Sequence, residues 1–207
     1  MIELVLVIVV LGILAALAVP RMERDLRQEA ADTILADIRY AQHMAINDYR
    51  ENPRDNGWQK TFWQVKIEGC ADNGIFISVG ADKDKGGDIS QSEAAIDPAN
   101  GKPMFWRNTS NCEHGGDDTV SNSIFLYKQF GVNSISGSGG CAGVQHIGFD
   151  HLGRPHVSFS ASATPDYSSY MQSECVFILK FKNDTQSVSI HIKPETGYAY
   201  IDEEDDS

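Results

Sequence analysis

Residues 1–20 read MIELVLVIVVLGILAALAVP, and the reading of this stretch decides how the rest of the 207-residue chain is understood. From Leu4 to Val19 every residue is apolar or glycine, a run of 16 residues that spans roughly 24 Å as a helix at about 1.5 Å per residue. A full membrane span usually takes about 20 residues, so flanking positions would have to extend it. Two readings compete. A secretory signal peptide carries basic residues before its apolar run and a small-residue cleavage site after it. Here no Lys or Arg precedes the run, and Glu3 opens it. The other reading is an anchoring helix that continues beyond the membrane.

The residues after Pro20 favour the second reading. Apolar side chains recur at Ala30, Ala31, Ile34, Leu35, Ile38, Ala41, Ala45 and Ile46, with charged residues between them. That is the spacing of one helix face. The pattern predicts a helix to about Asn47, with Pro20 as a kink or local break. Turn chemistry from Glu51 to Gly57 then ends it. Glu3 is the informative residue. A carboxylate in hydrocarbon costs on the order of 2.5–3.5 kcal/mol, so it should have a cationic partner, unless it sits solvated at the interface.

The stretch from Ile2 to Pro20 resembles the N-terminal helix of type IV pilins and pseudopilins, in which a glutamate, an apolar run and a proline share this spacing. The resemblance implies processing by a prepilin peptidase and methylation of the new amine. In that register Glu3 matches the fifth residue of the mature chain, so a leader and two mature residues are expected before Met1. It further implies that Glu3 pairs with the N-terminal amine of a neighbouring subunit during assembly. Arg21, Arg24 and Arg27 follow the apolar run, but the family's basic leader lies on the cytoplasmic side, so loop charges in this text do not set the orientation.

The expected organisation is an N-terminal helix over 1–50, with the anchor at 1–20 and an amphipathic half at 21–50, followed by a β-rich head over 51–207. Strand-like pieces separated by Gly, Asn, Asp and Ser fall at Thr61–Ile67, Gly74–Val79, Ser123–Tyr127, Val144–Phe149, His156–Ser160, Val176–Phe181 and Val188–Ile192, with a short Tyr198–Ile201 piece. Gly153-Arg154-Pro155 reads as a hairpin turn. The fold class expected is α+β: a long N-terminal helix, at once membrane anchor and filament core, packed on an antiparallel sheet. Three phrases resemble the H-type pseudopilins of type II secretion and related minor pilins. They are Asp37-Ile38-Arg39-Tyr40-Ala41-Gln42, Ile147-Gly148-Phe149-Asp150 with Gly153-Arg154-Pro155, and Pro194-Glu195-Thr196-Gly197-Tyr198.

Four cysteines, Cys70, Cys112, Cys141 and Cys175, contain no C-x-x-C pair, so zinc and thioredoxin-like motifs are unsupported. An even, scattered set fits two disulfides in an oxidising compartment, the alternative being free thiols in a cytosolic protein. Cys141 and Cys175 bracket the expected hairpin and the strand beside it, which pairs them and leaves Cys70 with Cys112.

The segment Asp82-Lys83-Asp84-Lys85-Gly86-Gly87-Asp88-Ile89-Ser90-Gln91-Ser92-Glu93 can be set against a twelve-residue calcium loop. Asp82 and Asp84 then take positions one and three, Gly87 the turn position, Ser90 position nine and Glu93 position twelve, with Asp88 adding a further carboxylate. Gly86 stands where an Asp or Asn is expected, and the flanks are strand-like. The alternatives are weak Ca²⁺ binding and a solvated acidic loop. His146, His151 and His156 are close in sequence and read either as a metal cluster or as ordinary surface or partly buried histidines. Asn108-Thr109-Ser110 and Asn183-Asp184-Thr185 match glycosylation acceptors. Trp58, Trp63 and Trp106 read as core or subunit-contact residues.

A net charge of −12 argues against a nucleic-acid partner. Some pilin relatives bind DNA through a basic C-terminus, whereas this chain ends in Asp202-Glu203-Glu204-Asp205-Asp206. No nucleophile elbow, phosphate loop or His-Glu-x-x-His is present in the sequence, so a non-enzymatic role is expected. The expectation is therefore a structural filament subunit: a pilin, minor pilin or secretion pseudopilin. It would be held in the inner membrane with a periplasmic head, then assembled with other pilin-like subunits by dedicated machinery into a periplasmic or extracellular filament. The alternative is a membrane-anchored periplasmic binding module that does not polymerise.

Overall fold

The computed structural model describes residues 2–52, 54–107, 109–110, 112, 118–161, 163–182 and 186–202, the side chains of 2–4, 6 and 14–25 apart. The Glu3 side chain, Asn108, Asn183-Asp184-Thr185 and the acidic end from Glu203 thus lie outside the described residues, as does the Pro20 ring.

Helix α1 spans Ile2–Asn47. Of its predicted stripe, Ala30, Ala31, Ile34, Leu35, Ile38, Ala41 and Ala45 are buried, because 3.6 residues per turn bring them onto the face that meets the head. Ile46 falls off that face and is 53% exposed. Beyond Asn47 the chain is fastened by Asp48, whose Oδ2 accepts from Trp63 Nε1 at 2.9 Å and Arg50 Nε at 2.9 Å.

The head is two four-stranded antiparallel sheets. Strands β1 (Trp63–Gly69), β2 (Ile75–Ala81), β4 (His146–Phe149) and β5 (Pro155–His156) form one, in the order β2-β1-β4-β5. Strands β3 (Val132–Gly139), β6 (Cys175–Phe181), β7 (Ser187–Ile192) and β8 (Ala199–Asp202) form the other, in the order β3-β6-β7-β8. A short helix α2 (Leu126–Phe130) precedes β3. In β6 the inward residues Cys175, Phe177, Leu179 and Phe181 alternate with more exposed ones, the period of a strand with one face on the core. In β2 nearly every residue is buried, since loops cover its second face.

The fold-class expectation is corrected. The head is mostly antiparallel sheet, and it has two sheets where one was expected. The helical stretch packed on them is 26–47, not a long helix lying on a single sheet. That stretch contacts β1 and β4 on one side and β7 and β8 on the other, so Ala30, Ile34, Ile38 and Ala41 share one core with Phe76, Ile77, Ile190 and Ile192. Each large side chain buried there contributes about 1.5–3 kcal/mol.

Two local readings are also corrected, and one strand is added. Ser123–Tyr127 is not a strand: a 3₁₀ turn over Asn122–Ile124 leads into α2, which Gly131 ends in the left-handed conformation. Strand β3 was not foreseen. The expected strand at His156–Ser160 shrinks to the two-residue β5, because Ser158 adopts a positive φ of 56° and turns the chain away.

Cys70 is joined to Cys112 and Cys141 to Cys175. The first ties the β1–β2 turn to the loop before α2, and the second ties the far ends of β3 and β6. Among the described residues, no helix is long and apolar enough to cross a membrane.

Candidate functional site

Three places bring chemically capable side chains together. The first is the loop after β2. Asp82, Asp84 and Glu93 each offer an oxygen within 4.8 Å of the others. The loop is wound around two of these carboxylates. Glu93 Oε1 accepts from the Lys83 and Asp84 amides at 2.7 and 2.9 Å, and its Oε2 accepts from the Ser90 amide at 2.9 Å. Asp82 accepts from the Gly86 and Gly87 amides at 2.9 and 2.8 Å. Burial raises the Glu93 carboxyl's affinity for protons, but the Ser90 hydroxyl and three amides outweigh it, leaving a value of about 2. Asp82 goes the other way: burial, Asp84 and Glu93 together push it up.

The donor set is therefore hard oxygen, as Ca²⁺ prefers, with an unrelieved repulsion at Asp82 that a cation would relieve. Its strongest acceptors are already engaged by backbone amides, which leaves Asp84 as the exposed member. Asp88 does not join the three. It pairs instead with Lys66 at 2.6 Å, and Lys66 also reaches Glu68 at 3.1 Å. Ser90 gives its hydroxyl hydrogen to Glu93. A cleft of about 300 Å³ beside the loop is lined by Glu68, Asp84, Asp88, Trp106 and Arg107.

The second place is at β4 and β5, where the three histidines separate. His146 faces Ser160 at 3.1 Å, and His151 lies against Glu51 and Tyr49. His156 is buried, with Nδ1 2.9 Å from Ser169 Oγ and Nε2 3.4 Å from Asp150 Oδ2. Sequence reading missed this Asp–His–Ser connectivity. Its geometry is that of an internal tie rather than a nucleophile. Ser169 donates its hydroxyl hydrogen to the Asp166 carbonyl at 2.7 Å. The hydroxyl is thus not aimed to hand its proton to the ring, and Ser169 is 3% exposed. Asp150 also accepts from the Leu152 and Arg154 amides and the Arg154 guanidinium. Burial raises its carboxyl, but His156 and Arg154 hold it far below the ordinary carboxylate range.

The third place joins the three phrases quoted above. Gln42 Nε2 donates to the Gly153 carbonyl at 2.8 Å and the Thr196 carbonyl at 2.9 Å, while Arg39 donates to the Ala199 carbonyl at 2.8 Å. One turn of α1 thereby clasps the β4–β5 turn and the β7–β8 turn, one from each sheet. Gly197 has φ 65°, and a Cβ there would stand 2.3 Å from the Gly153 carbonyl oxygen. Glycine is required because the two turns touch.

The tryptophans take core positions: Trp58 packs with Phe62 and Phe159, Trp63 lies under α1, and Trp106 stacks edge-on against Phe125. At the other end of α1, Val5, Val7, Ile8, Val9, Val10, Leu11 and Ile13 are 46–60% exposed. No family model, curated protein or solved structure matches the chain.

Proposed function

We propose that the chain is a structural subunit of a type IV pilin-like filament, assembled through its N-terminal apolar helix. The observation that carries this reading is the exposed apolar stretch of α1. Seven large apolar side chains, Val5, Val7 to Leu11 and Ile13, stand free of the head. Covering the half of each that is exposed is worth on the order of 5–10 kcal/mol, at about half of the 1.5–3 kcal/mol for full burial of each. Lipid before assembly and the matching helices of neighbouring subunits afterwards would both provide that cover. The Glu3–Pro20 spacing and the clasp between α1 and the two turns agree with the same reading.

On this reading the head is periplasmic while the chain is in the inner membrane, and its partners are other pilin-like subunits, a prepilin peptidase and the assembly machinery. The head is non-enzymatic, and Ca²⁺ is the ligand suited to the Asp82–Glu93 loop. Glu3 supplies the carboxylate that pairs with a neighbour's N-terminal amine, which offsets the cost of burying it. Glu3→Ala should leave membrane association intact and remove the chain from sheared fibres. Equal incorporation of the variant and the native chain would overturn the assigned role of Glu3.

A further inference from the structure

Asp37 breaks the apolar face of α1. It lies one turn from Ile34 and beside Ile38, is 7% exposed, and its Oδ2 has no hydrogen-bond partner. A buried, unpartnered carboxylate oxygen costs free energy that packing alone does not return. Tyr40, three residues further along the helix, donates its hydroxyl hydrogen to the Ile96 carbonyl at 2.9 Å, which ties α1 to the hairpin over 96–103.

The next residue of that hairpin is Asp97, also buried. Asp97 holds the hairpin together: its amide donates to the Lys102 carbonyl at 2.8 Å, and its carbonyl accepts from the Gly101 amide at 2.8 Å. Its carboxylate accepts from the Ala99 amide at 2.8 Å, Asn100 at 2.9 Å, Ser123 at 3.1 Å and the Ser121 hydroxyl. Burial raises Asp97, but these donors win and keep it ionised. Asp97 is the charged group acting on Asp37 from the hairpin, and on its own helix Tyr40 is the nearby titratable group. Arg39 is committed to β8.

We propose that Asp37 and Asp97 form a proton-operated latch between α1 and the 96–103 hairpin. With Asp37 protonated, helix and hairpin stay docked. When Asp37 ionises, a buried charge with an unpartnered oxygen lies beside the hairpin contact that Tyr40 makes at Ile96, within the field of the Asp97 carboxylate, and the hairpin loosens from the helix. Burial first, and Asp97 second, push the Asp37 carboxyl up to about 8. The latch therefore lies in reach of ordinary changes in external pH. The latch is independent of whether the chain polymerises.

The sign follows from linkage. A carboxyl raised in the folded state holds its proton where the unfolded chain has lost it, so folding is favoured at low pH and loses that advantage as pH rises from about 4 to about 8. The test is denaturant unfolding of the full chain in detergent, native and Asp37→Asn, from pH 5 to pH 9. The ratio of their folding constants should shift toward the variant by up to tenfold per pH unit, then level off above about pH 8. Hydrogen exchange in the native chain should speed up at residues 96–103 over the unit around pH 8, and Asp37→Asn should abolish that change. Should the variant fail to fold, the carboxyl carbon of Asp37 in the native chain, followed by NMR, should titrate well above pH 6. Titration near pH 4, or a ratio independent of pH, would overturn the latch.

Discussion

Asp150 has a carboxylate that accepts from two amides, a guanidinium and the neighbourhood of a buried imidazole. Asp150→Asn keeps the shape and removes the charge, leaving Arg154 and His156 without their partner. The loss should be about 1–3 kcal/mol at pH 7: Asp150 is buried and loses its charge-assisted hydrogen bonds, while Arg154, 44% exposed, is partly screened by solvent. Because the folded carboxyl is depressed, its contribution is present above about pH 4 and lost as pH falls below that. Urea midpoints of the two proteins should thus differ at pH 7 and converge toward pH 2; a difference unchanged with pH would refute the assignment. The calcium-loop spacing is tested by melting the full chain in EDTA and in millimolar Ca²⁺. A site in the range of about 10⁻⁴–10⁻³ M should raise the melting temperature by about 3 °C, and Asp84→Ala should abolish the rise. No shift in the native chain would leave the loop as a self-satisfied acidic turn. At this scale the sequence showed Asp82, Asp84 and Glu93 as a group because they are close along the chain. It hid the Asp150–His156–Ser169 tie, whose third member arrives through a separate 3₁₀ turn. Asp37 was detectable in principle: a charged residue sits one turn from Ile34 at a position the apolar stripe should fill.

The amphipathic half of α1 was legible because seven of its eight stripe positions obey one period, and Ile46 failed as the last residue but one of the helix. Strands with alternating apolar residues, such as β6, were equally plain. Strand β3 was not, because Val132–Gly139 is rich in Ser and Gly. Those small residues are what the contact with β6 requires: Gly139 has φ 63°, and a Cβ there would lie 2.1 Å from the Glu174 carbonyl oxygen. Ser123–Tyr127 misled for the opposite reason. Its apolar run looks like a strand, but Ser121 caps a 3₁₀ turn and Gly131 closes a helix. The Cys141–Cys175 bridge locks β3 to β6 and closes a loop of 34 residues. Replacing both cysteines by Ser should cost about 3–4 kcal/mol in a guanidinium titration, by loss of constraint on the unfolded chain. An unchanged midpoint would mean that β3 is held by its ladder alone.

The whole molecule has two regions of opposite character. One is a head with a continuous core under α1; the other is a helical stretch whose described apolar side chains, Val5, Val7 to Leu11 and Ile13, are exposed. The head's two-sheet division was not legible, because nothing in a list of strands says which edges meet. It depends on α1 lying between β1–β4 and β7–β8, with Gln42 holding a turn from each. The apolar run was plain in the first twenty residues, Val5, Val7 to Leu11 and Ile13 are exposed, and the proposed filament is one way to cover them. The most direct measurement is immunodetection of the chain in sheared surface fibres, or in periplasmic filaments, alongside Glu3→Ala. The native chain should be recovered in the filament fraction, with the variant confined to the membrane fraction. A native chain that stays wholly with the membrane as a monomer, under conditions where filaments are made, would contradict the account.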